Sequence, residues 1–113
     1  MATRAIISIE GFTTARLYKH FDGAPAHTLP WLEAFNKDFT ENRGDDPEYK
    51  FAQLLRSSIR DAEEFNLDKS KHTGWGVIPN SAFDNCGAQY YYRLMNNGTV
   101  KWSPINNTKT HEL

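Results

Sequence analysis

The sequence predicts an α+β fold. A single domain spans residues 1–113, with a mainly antiparallel sheet of about five strands and two helices on one face. Three observations predict it. Short alternating segments rich in β-branched or aromatic residues sit at both ends of the chain. Two amphipathic segments with helix start and stop signals fill the middle. Turns containing glycine fold the end segments into hairpins, giving the chain order ββααβββ. A chain of 113 residues is long enough to close one core without staples.

The first strand is Arg4-Ala-Ile-Ile-Ser-Ile-Glu10, whose alternation places Ala5, Ile7 and Ile9 on one face. Gly11-Phe12-Thr13 reads as the connection to a second strand, Thr14 to Phe21. Gly23 and Pro25 then break that strand. Thr28 is the expected N-cap of the first helix, with Trp31, Leu32, Phe35 and Phe39 following at helical spacing and Gly44 stopping it. Asp46-Pro47-Glu48 supplies a cap, a proline at the first helical position and an acid near the helix dipole. The second helix carries the apolar stripe Phe51, Leu54, Leu55, Ile59 and Ala62, with Arg56, Arg60, Glu63 and Glu64 on the wet side. A polar, lysine-rich connector, 66–73, leads to a short extended segment, Gly74 to Pro79.

The last hairpin has a register that the residues decide. A two-residue turn at Asn97-Gly98 would set Arg93 opposite Trp102 and mix polar with apolar faces. A three-residue turn with Gly98 left-handed pairs Leu94 with Val100 and Tyr92 with Trp102, giving one apolar face. That register assigns Tyr90, Tyr92 and Trp102 to the core and turns Tyr91 and Arg93 away from it. Residues 104–113 read as a loose tail.

Charge limits the function classes. Thirteen basic against fourteen acidic residues give a net charge of −1, which supplies no global field for gripping nucleic acid. Nucleic acid is therefore an unfavoured partner. No apolar run approaches the roughly 20 residues of a membrane-spanning helix, so no membrane role is expected. Cys86 is the only cysteine, and the N-terminus resembles no signal peptide, so a cytoplasmic setting is expected. Glu33, Asp38, Glu41, Asp45, Asp46 and Glu48 fall in sixteen residues that hold only Lys37 and Arg43. Within that run Asp45, Asp46 and Glu48 are candidates for an acidic interface with a basic partner.

Chemistry concentrates at Tyr18-Lys19-His20-Phe21-Asp22-Gly23-Ala24-Pro25. By period two, Tyr18, His20 and Asp22 share a face if the strand persists. An imidazole beside a carboxylate fixes a tautomer and raises basicity, the arrangement a general base or a metal ligand needs. Tyr18, His20, Phe21 and Asp22 are accordingly candidate binding residues. His27 follows closely, yet no closed ligand pattern accompanies it, and neither a metal nor another cofactor is expected. Gly74-Trp75-Gly76 lacks the pattern of a phosphate loop. Trp75 is instead expected to wall an aromatic pocket with Tyr91, with Arg93 on the same outward face suited to stacking or to gripping a phosphate.

The segment from Leu17 to Pro25 resembles a motif of short uncharacterised proteins common in bacteriophage and prophage genomes. In those, an aromatic, a basic or polar residue, His, Trp, Asp, Gly, an aromatic and Pro follow a strand. Here Phe21 replaces the tryptophan and Ala24 the second aromatic. Phe83-Asp84-Asn85 and Gly87-Ala-Gln-Tyr-Tyr-Tyr92 are similar to the family's C-terminal strand. The resemblance implies a phage context and host-directed action, such as blocking or titrating a defence factor, and implies no reaction. The expected function is a small cytoplasmic accessory protein that binds a host protein or a small ligand stoichiometrically. The alternative is a small hydrolase or nucleotide-processing enzyme using His20 and Asp22.

Overall fold

A computed structural model describes residues 3–64, 74–79 and 87–105, of which 59–64 are described in their backbone alone. The chain runs β1 (Ala5–Ile9), β2 (Phe12–Lys19), α1 (Pro25–Arg43), α2 (Pro47–Glu64), β3 (Trp75–Pro79), β4 (Tyr90–Leu94) and β5 (Val100–Pro104). The α+β class and the ββααβββ order are as the sequence predicts. The five strands form one sheet in the order β3-β2-β1-β4-β5. Three neighbouring pairs are antiparallel, and β1 with β4 is parallel.

β1 lies at the centre, and all five of its residues are buried. This accounts for its nearly unbroken apolar run, since both faces of the strand are covered. Ala5, Ile7 and Ile9 meet Leu17, Tyr92 and Leu94 from neighbouring strands, and Leu32 of α1 and Leu54 of α2 close the cluster. Both helices therefore lie on one face. Each of the two leucines is fully buried, a contribution of about 1.5–3 kcal/mol apiece.

Several details differ from the sequence reading. The β1–β2 turn is Glu10-Gly11, with Gly11 at φ 88°, so Phe12 already belongs to β2 and stacks on Phe51 at 4.7 Å. The first helix starts at Pro25, and Ala24 in extended conformation precedes it without a capping side chain. Thr28 therefore lies inside the first turn, buried, where its hydroxyl donates to the Asp22 carbonyl at 2.7 Å. Proline preset at the first helical position replaces the expected cap. Trp102, expected in the core, is 43% exposed on the edge strand, although its ring still rests near Tyr90 and Tyr92.

The other signals are realised. Gly44 ends α1 at φ 82°, its N–H bonded to the Thr40 carbonyl. The Asp46 carboxylate accepts from the Tyr49 N–H at the start of α2. The last hairpin pairs Leu94 with Val100 and Tyr92 with Trp102. Met95 N–H donates to the Thr99 carbonyl, which leaves Asn96-Asn97-Gly98 as a three-residue turn with Gly98 at φ 95°. Of the expected 104–113 tail, Pro104 instead closes β5 and the Ile105 N–H donates to the Gln89 carbonyl. Residues 106–113, Phe83 and Cys86 lie outside the described residues, and Ile59 and Ala62 of the predicted stripe outside the described side chains. Among the described residues no helix is long and apolar enough to cross a membrane.

Candidate functional site

The segment Tyr18 to Pro25 builds the passage from sheet to helix. The Tyr18 hydroxyl and His20 Nδ1 lie 2.8 Å apart, as residues two apart on one strand face allow. The strand ends there, because Asp22 adopts φ 56°, a left-handed conformation uncommon outside glycine. The expected alignment of Tyr18, His20 and Asp22 is therefore only half realised. Tyr18 meets His20, whereas the exposed Asp22 carboxylate makes no hydrogen bond among the described residues. Asp22 contributes its carbonyl to Thr28 instead.

The remaining motif positions serve the same turn. Phe21, 47% exposed, crosses the His20 ring edge-on at 4.6 Å and covers Gly74, where an added Cβ would come within 3.0 Å of its ring. Gly23 is buried so tightly that a Cβ would fall 2.8 Å from Ala5 Cβ and 2.9 Å from the Thr3 carbonyl oxygen. Its own carbonyl accepts from the Tyr92 hydroxyl at 2.6 Å. Burial pushes that hydroxyl well above the usual phenol range, against the opposing effect of a hydrogen bond with Thr28. His27 is exposed in the first turn of α1.

Trp75 is placed differently from the sequence reading. It pairs with Lys19 on β2, whose ammonium sits 4.4 Å from the indole centroid, and it packs against Trp31 of α1 at 5.4 Å. Trp75 therefore faces the helices, with β2 and β1 between its strand and that of Tyr91. The expected Trp75–Tyr91 pocket does not form, because one residue of register decides which face a strand side chain takes.

Tyr91 and Arg93 do face away from the helices. The second face of the sheet is written in two rows. One runs across all five strands as Gly76, Tyr18, Ile6, Tyr91 and Ser103. The other holds Ile78 opposite Arg16 at one end, and Ser8, Arg93 and Lys101 side by side at the other. Arg16, Arg93 and Lys101 are its charges, and no acidic residue belongs to either row. The Tyr91 hydroxyl is tied to Ser8 Oγ at 3.0 Å, both groups buried. Beside it a cleft of about 300 Å3 is lined by Tyr91, Arg93, Lys101, Trp102 and Ser103. The Trp102 ring lies toward Tyr90 and Tyr92, on the helix side. Among the described residues neither the Arg93 nor the Lys101 side chain has a hydrogen-bond or ion-pair partner.

Lys101 and Ser103 are functional candidates that motif reading passes over. Their signal is the hairpin register, which places Arg93 opposite Lys101 as soon as Tyr92 is placed opposite Trp102.

The acidic residues lie on the other layer. Asp46 caps α2 and pairs with Arg43 at 3.4 Å, and Arg43 in turn covers Tyr49 at 4.2 Å. Asp45 and Glu48 are exposed beside it. Lys50, one residue past Tyr49, is 1% exposed. Its ammonium reaches the Met95 carbonyl at 3.5 Å, and burial lowers its pKa against the opposing pull of Asp45 and Glu10. Asn36, fully buried, donates to both the Met95 and Thr99 carbonyls. The two helices thus hold the 95–99 turn from beneath.

Among the described residues no three His, Cys, Asp or Glu side chains gather into a metal-holding group. Comparison with family models, with curated proteins and with solved structures finds no match to this chain.

Proposed function

We propose that this chain is a small binding protein of the phage accessory type. It acts in the cytoplasm of a bacterial host by stoichiometric contact with a host protein or a small ligand, as an anti-defence inhibitor or a ligand-sequestering protein would. The observation that carries the reading is the β4–β5 cleft. Two cations face each other across adjacent strands, beside a fixed aromatic ring and without a counter-ion among the described residues. Like charges directly opposite on a sheet destabilise the free protein, so the arrangement gains when an anionic partner fills it. The phage context rests on the resemblance of the Leu17–Pro25 segment.

A hydrolase centred on His20 and Asp22 has less support. Tyr18 orients His20, but no hydrogen bond joins the imidazole to the carboxylate that such a base would use.

The test is affinity capture from bacterial lysate, with mass spectrometry of the proteins and small molecules retained. The chain is compared with an Arg93→Glu, Lys101→Glu double variant. A partner retained by the first and lost from the second is the expected result. Identical retention by both overturns the cleft as the contact site.

A further inference from the structure

The charged pair at the β4–β5 edge also narrows the chemistry of the ligand, and this step rests on the binding reading above. Met95 N–H donates to the Thr99 carbonyl and Ile105 N–H to the Gln89 carbonyl, so the alternation of the ladder makes Arg93 and Lys101 a bonded pair. Their Cα atoms are then roughly 5.5 Å apart, with both side chains on the same face. Tyr91, held by Ser8, forms a rigid floor, and Ser103 adds a hydroxyl to the same wall.

We infer that this cleft binds the phosphomonoester group of a small molecule of mononucleotide or sugar-phosphate size, with the phosphate between the Arg93 guanidinium and the Lys101 ammonium. Charge selects it first. Two cations match the charge of about −1.5 to −2 that a phosphomonoester carries at neutral pH, whereas a carboxylate leaves one cation uncompensated. Geometry agrees, since a guanidinium fork and an ammonium point charge are complementary ways of holding phosphate oxygens. Size separates a small ligand from a polymer. The cleft, about 300 Å3, stands at the lower limit of small-molecule sites. Tyr91 is buried, and Tyr18, the other ring of its row, stands two strands away beyond Ile6, so among the described residues no unbroken row of accessible rings adjoins the cleft for a single strand to stack on.

Isothermal titration of the full chain with adenosine 5′-monophosphate at low ionic strength tests the inference. Saturable one-to-one binding is expected, competed by inorganic phosphate and absent with adenosine. Arg93→Gln and Lys101→Gln should each weaken it by about tenfold or more, as loss of a charge-assisted contact does. Glu41→Gln on the helix layer should leave it unchanged. Should Arg93→Gln disturb the fold, Lys101→Gln at the exposed edge decides alone. Absence of binding, equal binding of adenosine, or unchanged affinity in Lys101→Gln overturns the inference. So does tighter binding of an oligonucleotide without terminal phosphates, which would make the ligand a single strand. If the nucleotide fails to bind while the charge-reversed double variant still loses its captured partner, the phosphate inference falls and the contact reading stands. If the double variant also keeps its partner, both fall.

Discussion

The two faces of the sheet use the same strands for opposite purposes. On one face Ile7, Leu17, Tyr92 and Leu94 are buried beneath Leu32 and Leu54. On the other, Ile6 and Tyr91 form a buried floor while Arg16, Arg93 and Lys101 are arrayed without one carboxylate in either row. Period two makes this separation cheap, because neighbours in β4 such as Tyr92 and Arg93 belong to different environments. Substitutions on the first face should therefore register in stability and those on the second in binding.

The largest effect should come from the helix face. Leu54→Ala removes a fully buried side chain between α2 and the sheet, and a loss of about 2–5 kcal/mol in denaturant unfolding is expected. Next comes the anchor beneath the 95–99 turn. Asn36→Ala leaves the Thr99 carbonyl without its side-chain donor and the Met95 carbonyl with Lys50 alone, and should cost about 1–3 kcal/mol by the same measurement. Removing the Asp46 cap by Asp46→Ala should cost about 1 kcal/mol. The smallest change in stability belongs to the second face. Arg93→Ala should stay within about 0.5 kcal/mol, since it removes a like-charge contact and no described bond. A large loss there would make Arg93 a structural residue and break the comparison.

Lys50 adds a pH signature to the helix face. Its folded pKa lies below the ordinary 10.5, so between the two values the unfolded chain binds more protons. Stability should therefore rise with pH as the ammonium deprotonates in the folded state, levelling near 10.5. Tyr92 acts in the opposite sense above its ordinary 10.0, where the unfolded phenol ionises first and stability falls. Unfolding curves across the alkaline range should show the rise in the wild-type chain and lose it in Lys50→Met.

Local rules made much of the fold legible. Asp46-Pro47, Gly44 and the Asn96-Asn97-Gly98 turn carry their own backbone signals, and the face argument fixed the β4–β5 register. What stayed hidden depends on distant partners. Lys50 and Asn36 read as polar helix positions, yet they are buried because carbonyls more than forty residues away meet them. The face that Trp75 takes is set by its pairing with Lys19 of β2, a register no local residue announces. The Tyr18–Pro25 segment looked like a site because His and Asp were two apart. The left-handed Asp22 and the crowded Gly23 divert most of it to turning the chain into α1. For the proposed binding site, Tyr91 and Arg93 are readable from alternation alone, and Lys101 and Ser103 follow from the β4–β5 register.

The central claim is that the second face, at its β4–β5 edge, is where the protein meets an anion. The most direct measurement is an amide chemical-shift titration of the full chain with inorganic phosphate at low ionic strength. Shifts should concentrate at Tyr91, Arg93, Lys101 and Ser103 and saturate together, with the α1 and α2 amides unmoved. Shifts that gather on the helix layer, or none that saturate at the β4–β5 edge, would contradict it.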